Sequence, residues 1–400
     1  MRSSGVPLVA DLAGALAEVV GGAHVRGTPT GINVRPGTTE EAAAVLRAAT
    51  EHGATVLPVG TGTTIDWAPA PATDVQLQLS RMDAILEHSA GDLVVHAQAG
   101  ALLADVQAAL APHGQRLALS SPFDAGTIGG LVAFDLAGPQ RYAHGTARDL
   151  VIGSTSVLAD GTVAHSGGKV VKNVAGYDLG KLYTGSRGTL AVLTDVWFRL
   201  HPIPEATRWV IAQASDTTSA ATALAAVRAS QVAPTALQVR AHRGVIEIGI
   251  QLDGVTAGID VRAEAVCALF DELGPSVEND RPAGWGALPE TEVLLLLTYV
   301  PAALASVLDA LGMTAEVNGS AGVGVLHVGC ELAEAAALLE RARRVTATHH
   351  GHTVVMRAPA GAELDLWGPQ DPALRALMLR VKDQFDPAHT LAPGRLPTGI

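Results

Sequence analysis

Glycines are concentrated between Thr127 and Thr194, where bulky side chains would otherwise be expected. Glycine loses the most conformational freedom on ordering, so this density indicates backbone that passes close to another group or adopts positive φ. The chemistry available there is hydrogen bonding by main-chain N–H and C=O groups, and a large ligand held by such groups would explain the pattern. A tight β-rich core with many turns explains the glycine density equally well. The glycines are Gly129, Gly130, Gly138, Gly145, Gly176, Gly185 and Gly188.

A second loop of small residues, Val59–Thr64, follows the apolar run ATVLPV. Gly60 and Gly62 could begin a G-x-G-x-x-G motif, but Ile65 stands at the third glycine position and the next residues do not open a helix. The Rossmann cradle is therefore excluded, and no G-K-[ST] follows for a P-loop. Consecutive amides and threonine hydroxyls remain, which can form an anion-binding nest. A plain turn is the alternative, and for the loop taken alone it is favoured.

Charge patterning excludes a nucleic-acid backbone as a partner. The chain has a formal net charge of −12, and no run of basic residues offsets it. Isolated cations do lie within the glycine-rich stretch, where they could face an anionic ligand, although a solvated charged surface is the commoner explanation. These cations are Arg141, Arg148, Lys169, Lys172, Lys181 and Arg187.

Cysteines and histidines indicate no metal or disulfide chemistry. Cys267 and Cys330 are the two cysteines, and neither belongs to a C-x-x-C pair, which excludes a self-contained zinc finger or iron–sulfur cluster. His349, His350 and His352 lack a carboxylate at ligand spacing and are predicted to form a turn, so no metal is predicted. No nucleophile–base arrangement can be argued from the spacing of such residues.

The pattern of apolar residues predicts two kinds of domain. Up to about residue 200, short strands alternate with glycine turns and a few helices, and Asp160-Gly161 predicts a hairpin. After Pro204, a β-α-β-β-α pattern occurs twice and predicts one antiparallel sheet with helices on a face. No apolar run is long enough to cross a bilayer, so the prediction is a cytoplasmic protein, or one held at a membrane through its partners.

Several strings resemble, in order and spacing, the FAD-binding domain of flavoproteins of the vanillyl-alcohol oxidase (PCMH) type: PVGTGTT, RMDAILEHSAGDLVVHAQAG, TIGG and GSRGTLAVLTDVWFRLHP. Three more are similar to the FAD-binding subunit of bacterial glycolate oxidase: GPQRYAHGTARDLVIG, GGKVVKNVAGYDLGKLYTGSRGTL and FDPAHTLAPGR. The resemblance covers nearly all of residues 30–205 and the last thirty or so, and is thin across the middle. The K-N-V-A-G-Y-D string is highly specific.

The resemblance implies an α+β fold with three segments. Residues 1–205 would form a PCMH-type FAD-binding domain made of two α/β subdomains. Residues 206–365 would form a smaller α+β cap with an antiparallel sheet, and residues 366–400 would return to the FAD-binding domain. Ala392 stands where the family usually has asparagine before the terminal Pro-Gly.

The resemblance also implies a cofactor site. Val59–Thr64 would wrap the FAD pyrophosphate with backbone amides, Thr127–Gly130 would approach the pyrophosphate and flavin, and Val192 would lie near the adenine. Arg141, Arg148, Lys172 and Arg395 are the candidate charge partners, with surface ion pairs as the alternative. Residues 58–66 contain no His or Cys, so the FAD is expected to be noncovalent. The full candidate set is Val59, Gly60, Thr61, Gly62, Thr63, Thr64, Thr127, Ile128, Gly129, Gly130, Gly138, Arg141, Gly145, Arg148, Lys172, Gly176, Tyr177, Asp178, Gly188, Thr189, Val192 and Arg395.

The function implied is that of a second flavoprotein subunit in a glycolate or D-lactate (2-hydroxy-acid) dehydrogenase complex. A catalytic flavoprotein and a cysteine-rich iron–sulfur protein would be its partners, because this chain lacks the E-H-G-x-G string, the histidine-rich metal motifs and the cluster cysteines. One alternative is a free-standing flavin oxidoreductase acting on a hydroxy acid or alcohol, with Tyr177 or His144 as the base. Another is a flavin-stabilised structural subunit that does not turn over.

Overall fold

The computed structural model describes residues 5–67, 72–169, 176–312 and 314–397. These residues divide into two compact units. The first unit is drawn from residues 1–136, 146–202 and 370–400, and the second from residues 137–145 and 203–369. The range 1–205 predicted for the first domain therefore contains a short piece, residues 137–145, that lies in the second unit. The predicted α+β class is confirmed.

The first stretch of the chain, up to residue 136, contains parts of two sheets with the helices that cover them. Thr38 caps the second helix by accepting a hydrogen bond from the Glu41 amide. The elements are α1 (Gly5–Val20), β1 (Val25–Thr28), β2 (Gly31–Val34), α2 (Thr39–Glu51), β3 (Val56–Val59), β4 (Val75–Gln78), β5 (Ile85–Ser89), β6 (Val94–Gln98), α3 (Leu103–Leu110), β7 (Gln115–Arg116) and α4 (Ile128–Phe134).

The next stretch completes the second sheet of the first unit. The predicted hairpin is confirmed, since its two strands pair in antiparallel register from Val157↔Val163 to Gly153↔Gly167. The elements are α5 (Arg141–His144), α6 (Ala147–Leu150), β8 (Val151–Val157), β9 (Val163–Gly167), α7 (Leu179–Tyr183), β10 (Val192–Arg199) and β11 (His201–Pro202). Of these, α5 belongs to the second unit.

The first unit contains two sheets of four or more strands. One has four strands in the order β1-β2-β4-β3, with β4 parallel to both β2 and β3. The other has five antiparallel strands in the order β5-β6-β10-β8-β9. Because β3 ends directly before Gly60 and β10 begins directly after Ala191, both glycine-rich segments start or finish at a strand end, where the backbone is held in place by the sheet.

The second unit is an antiparallel sheet of eight strands with helices packed on it, as predicted. Its strand order is β15-β12-β14-β13-β17-β18-β16-β19, and β13 joins the two repeats by pairing with β17 at Val239↔Gly319. Buried Val, Ile and Leu side chains from strands and helices form its core. The elements are β12 (Ala206–Ala214), α8 (Thr217–Ala229), β13 (Ala236–His242), β14 (Val245–Gly254), α9 (Thr256–Leu269), β15 (Ser276–Glu278), β16 (Val293–Thr298), α10 (Leu304–Leu311), β17 (Glu316–Ser320), β18 (Val325–Cys330), α11 (Leu332–Thr348) and β19 (His352–Arg357).

The chain then returns to the first unit through α12 (Pro372–Phe385) and the segment that follows it, residues 386–397, named the strap here. Val56 at the start of β3 donates its amide hydrogen to the Thr390 carbonyl at 2.7 Å, and the Ala392 amide donates back to the Val56 carbonyl at 2.8 Å. The strap therefore lies alongside the strand that precedes the Gly60–Thr64 loop.

Candidate functional site

A cleft in the first unit gathers most of the glycine-rich segments. Its empty volume is about 740 Å³, counting space open to solvent. The loop after β3, the start of α4, the segment before β10 and Arg395 of the strap all line it. These elements converge because their flanking strands are held in the two sheets of the unit.

The loop Gly60–Thr64 presents amides that the protein does not use. Among the described residues, none accepts a hydrogen bond from the amides of this loop, whereas both ends of the loop are fixed. The Thr61 hydroxyl donates to the Ala125 carbonyl at 2.5 Å, and the Thr64 carbonyl accepts from Arg395 Nη2. Gly62 has φ +84°, which favours glycine. A fixed loop with unengaged amides is what an anion nest requires.

The second glycine loop has a different role. The amides of Ile128 and Gly129 donate to the carbonyls of Ala101 and Ala99, and the Gly130 amide donates to the Thr127 hydroxyl. These N–H groups are therefore already engaged within the protein and contribute shape to the cleft. A Cβ on Gly129 would lie 2.9 Å from the Ala99 Cβ, so glycine is needed there for close packing.

The two loops touch at Gly60. A Cβ at this position would lie 2.3 Å from the Thr127 hydroxyl oxygen and 3.0 Å from its methyl carbon. Thr127 itself is buried and caps α4. Because neither partner has room to move, any side chain at residue 60 would push the amide-presenting loop away from α4.

Two arginines bring positive charge to the same cleft. The guanidinium carbons of Arg187 and Arg395 lie 5.6 and 5.2 Å from the centre of the Phe134 ring. Burial, together with the neighbouring charge of Arg395, lowers the pKa of Arg187 to about 10. Burial also lowers the pKa of Arg395 to about 10, although Asp66 acts in the opposite direction. Both groups stay protonated at neutral pH.

Two like charges placed near each other repel, and an anion bound beside them would reduce that repulsion. Arg395 is only 3 % exposed, and its Nε makes no hydrogen bond to any described residue. Guanidinium groups bind phosphate oxygens in a bidentate manner, and unengaged amides favour the same ligand. The cleft therefore fits the diphosphate of the FAD that the sequence predicts.

A buried ion pair holds the strap in place. Lys382 Nζ lies 2.6 Å from Asp386 Oδ2, and neither side chain has any solvent exposure. The same ammonium donates to the carbonyls of Thr189 and Leu391 at 2.7 and 2.9 Å. Asp386 in turn accepts from the amide of Leu391 at 2.7 Å. Lys382 thus ties α12, the strap and the segment around Gly188 together, which positions Arg395 in the cleft.

About half of the predicted cofactor residues line this cleft. They are Val59, Gly60, Thr61, Gly62, Thr63, Thr64, Thr127, Gly129, Gly130, Gly188 and Arg395. Three more, Ile128, Thr189 and Val192, are buried but do not line the cleft. Neighbouring residues such as Ala191 and Leu193 line it instead.

Other predicted residues lie elsewhere. Gly138 and Arg141 line a cavity of the second unit, and Lys172 lies outside the described residues. Arg148 is exposed on α6, and Gly145 ends α5 with φ +79°. Asp178 caps α7 through the Lys181 amide, next to Gly176 and to Tyr177, which is 91 % exposed. The half-buried His144 is the last residue of α5.

Sequence reasoning missed several residues of the cleft lining, including the cation Arg187 and the aromatic Phe134. Arg187 was only one of several scattered cations, and Phe134 carried no signal as the last residue of an apolar helix. Arg187 has φ +56°, in the left-handed region, and lines the cleft together with Ser186 and Gly188. Its proximity to Arg395 depends on the strap and is not visible in the sequence.

Two structural features are absent from the described parts of the chain. Within them, no three or more His, Cys, Asp or Glu side chains are grouped so that they could share a metal ion. His349 and His350 lie in the turn between α11 and β19, as predicted. No helix in the same described ranges has the length and apolar character needed to cross a membrane.

Comparison with known proteins agrees with the geometry of the cleft. Residues 31–167 match a family described as FAD binding domain. Over 90% of its length the chain is 30% identical to an FAD-linked oxidoreductase of Mycobacterium tuberculosis, of which it covers 89%. It is 31% identical to the glycolate oxidase subunit GlcD of Bacillus subtilis over 62% of this chain and 53% of that protein. It is 39% identical to the glycolate oxidase subunit GlcE of Escherichia coli over 34% of this chain and 39% of that protein.

Solved structures share the fold. p-Cresol methylhydroxylase superimposes with a TM-score of 0.76 at 15% identity, covering 98% of this chain and 97% of its own. Alkyldihydroxyacetonephosphate synthase superimposes with a TM-score of 0.70 at 16% identity, covering 90% of this chain and 75% of its own. At these identities the likeness establishes the architecture alone.

Proposed function

Because this chain belongs to the FAD-linked oxidoreductases with a PCMH-type FAD-binding fold, and FAD is its cofactor, we propose that it is the FAD-binding subunit of a complex that oxidises a 2-hydroxy acid such as glycolate. The observation that carries the proposal is the cleft of the first unit, with its unengaged amides, half-buried Arg187 and buried Arg395, in a chain that resembles two glycolate oxidase subunits.

Each part of the cleft has a role in holding the cofactor. The amides of Gly60–Thr64 and the guanidinium groups of Arg187 and Arg395 would bind the diphosphate. Leu57, Leu79 and Leu193 give an apolar wall that excludes water around the rest of the molecule. No His or Cys occurs in residues 58–66, so the FAD would be held noncovalently.

FAD, when bound, accepts the hydride or electrons removed from the substrate. The protein then has to orient the cofactor, exclude water and pass electrons on. The sequence contains only two cysteines, so an iron–sulfur cluster with a four-cysteine ligand set would have to come from a partner. A catalytic flavoprotein subunit would complete the complex, and its site of action would be the cytoplasm.

A free-standing 2-hydroxy-acid or alcohol oxidoreductase is the second candidate. It is favoured by 35% identity to a D-lactate dehydrogenase of Archaeoglobus fulgidus over 42% of this chain and 38% of that protein. Such an enzyme needs a base beside the flavin. Tyr177 and His144 are the candidates from the sequence, and neither lines the cleft of the first unit. A structural subunit that keeps FAD without turnover is the third candidate.

Anaerobic mixing of the purified FAD-loaded chain with glycolate or D-lactate, followed by flavin absorbance, separates these candidates. The subunit proposal expects an oxidised flavin with this chain alone and reduction once the partner subunits are added. Reduction of the isolated chain would contradict the proposal in favour of a free-standing enzyme. Full complex activity with a variant that cannot bind FAD would contradict it in favour of a structural subunit.

A further inference from the structure

An aromatic cluster lies at the wall of the first-unit cleft. Phe134, the last residue of α4, is half-buried and lines the cleft. The Trp67 ring meets the Phe134 ring almost at a right angle, with the ring centroids 5.5 Å apart. Trp67 is only 1 % exposed, and Phe123 packs against it with the centroids 5.9 Å apart. Edge-to-face packing of this kind is electrostatically favoured, so a buried neighbour fixes the orientation of the Phe134 ring.

The Phe134 ring faces two cations. The guanidinium carbons of Arg187 and Arg395 lie 5.6 and 5.2 Å from its centre. The face of an aromatic ring is electronegative and attracts a cation within about 6 Å, more strongly where water is excluded. Burial is the main cause that lowers the pKa of both arginines, so both contacts are partly shielded from water. The ring therefore offsets part of the repulsion between the two cations and limits where each guanidinium group can lie.

Arg395 is also joined to the amide-presenting loop by a closed set of contacts. Its Nη2 donates to the Thr64 carbonyl, and the Trp67 amide donates to the same carbonyl at 3.2 Å. The Trp67 ring packs on Phe134, and the Phe134 ring contacts the Arg395 guanidinium group. Because the contacts close on themselves, a change in the Phe134 ring would move the guanidinium group relative to the loop amides.

An arginine that is held in place before its ligand arrives loses less rotamer freedom on binding. We propose that Phe134 is a positioning residue for the FAD diphosphate. Its ring, supported by Trp67, would hold Arg187 and Arg395 where both guanidinium groups can reach the phosphate oxygens. The inference deepens the proposed function, but it rests only on the binding of FAD in the cleft and not on the oxidation of a 2-hydroxy acid.

The test is fluorescence titration of the deflavinated full chain with FAD and with riboflavin, which lacks the phosphates. Phe134→Leu removes the ring and keeps an apolar side chain that suits a helix. We expect its affinity for FAD to fall roughly tenfold, as the loss of cation–π contacts to partly desolvated arginines implies, and its affinity for riboflavin to stay within about twofold of the wild type. Unchanged affinity for FAD, or equal losses for the two flavins, would overturn the proposal.

Two further variants separate positioning from packing. Phe134→Tyr keeps the ring and should bind FAD within about threefold of the wild type. Phe123→Leu is the matched control, because Phe123 also packs on Trp67 but does not line the cleft. It should keep the wild-type preference for FAD over riboflavin. A Phe134→Tyr protein as weak as Phe134→Leu, or the same selective loss in Phe123→Leu, would contradict the role of the Phe134 ring.

A double-mutant cycle tests whether the ring acts through Arg395. Phe134→Leu should weaken FAD binding less in an Arg395→Gln chain than in the wild type, because the group that the ring positions is already absent. A loss of the same size in both backgrounds would mean that the ring contacts the cofactor directly, which would overturn the positioning role. Thermal unfolding of each deflavinated variant reports that it is folded.

Failure of this proposal and failure of the proposed function can be distinguished. A selective loss of FAD binding in Phe134→Leu, together with a complex that does not oxidise hydroxy acids, would leave the positioning role standing and remove the proposed function. Oxidation of glycolate by the complex, together with unchanged FAD affinity in Phe134→Leu, would remove the positioning role and leave the proposed function standing.

Discussion

The cleft of the first unit and the cavity of the second unit both place arginine next to unsatisfied polar groups, but the polar groups have opposite character. In the cleft they are donors, namely the amides of Gly60–Thr64, together with two guanidinium groups. In the cavity the unsatisfied atoms are oxygens on Asn318 and Ser320, beside one guanidinium group.

Unsatisfied donors in the cleft and unsatisfied oxygens in the cavity suit opposite partners in a hydrogen bond. Donors and two cations suit an anion with several negative oxygens and no hydrogen to give, such as a diphosphate. An unsatisfied amide oxygen instead suits a hydrogen-bond donor. The chemical type of a ligand therefore follows from whether the protein leaves hydrogen-bond donors or hydrogen-bond acceptors unsatisfied.

The largest expected effect concerns the support of the cleft. Lys382→Met would leave Asp386 buried without its counter-charge, which should lower the free energy of unfolding of the first unit by about 3–5 kcal/mol. It would also free the strap that carries Arg395, so FAD binding should weaken. Urea unfolding and flavin titration measure the two effects.

The double variant Lys382→Met/Asp386→Leu removes both charges and serves as the control for Lys382→Met. It should recover part of the lost stability, because no buried charge then stays uncompensated. A Lys382→Met protein as stable as the wild type, with unchanged FAD affinity, would mean that the strap does not support the cleft.

Gly60→Val tests whether the amides of the Gly60–Thr64 loop bind the cofactor. The new Cβ would lie within 2.3 Å of the Thr127 hydroxyl oxygen, so the loop and its amides must move. We expect FAD affinity to fall by at least about a hundredfold, which corresponds to about 3 kcal/mol. Fluorescence titration of FAD into the deflavinated chain is the measurement.

Gly27→Val is the matched control for Gly60→Val, since Gly27 is exposed on β1 and a Cβ there would meet no atom within 4 Å. It should bind FAD like the wild type. A Gly60→Val protein that retains wild-type affinity would show that the loop amides do not hold the cofactor.

Arg187→Gln separates the ligand-free and FAD-bound states. It removes one of two like charges that share the cleft, so the ligand-free protein should lose less stability than the FAD-bound protein. The FAD-bound state loses a charged hydrogen-bond donor worth about 1.5–3 kcal/mol, so FAD affinity should fall roughly tenfold to a hundredfold. Thermal unfolding with and without FAD checks both. A parallel loss of stability in the two states would contradict the role in FAD binding.

The smallest effect concerns acid stability. Burial, and after it the charge of Arg141, lowers the pKa of His327 from its ordinary value of 6.5 to about 4. Below the unfolded pKa the unfolded chain binds a proton that the folded chain does not, so stability falls as pH drops from about 6.5 to about 4. Allowing for partial solvent screening, we expect a loss of about 1–2 kcal/mol. His327→Gln should flatten this part of the stability–pH curve, and an unchanged slope would contradict the low pKa.

The sequence predicted the cleft far better than the cavity, and the reason is physical. Gly60, Gly62, Gly129 and Gly188 line the cleft because backbone recognition and close packing require glycine, which leaves a visible pattern. Arg187 escaped the predicted set because its place beside Arg395 depends on a strap distant in sequence.

The cavity depends on strand register, which a single sequence does not specify. Gln238 and Asn318 come together only because β13 and β17 pair with Val239 opposite Gly319. Arg141 was assigned to FAD through its place in a glycine-rich stretch, whereas residues 137–145 belong to the second unit. The membership of residues 137–145 in the second unit has no signal in the sequence pattern.

The central claim is that the first unit holds FAD by its diphosphate. The most direct measurement is titration of the deflavinated full chain with FAD and with riboflavin, which has the same ring system and no phosphate. The account predicts that FAD binds at least about a hundredfold more tightly, and that ADP competes with it. Equal affinity for riboflavin and FAD, or no flavin binding at all, would contradict it.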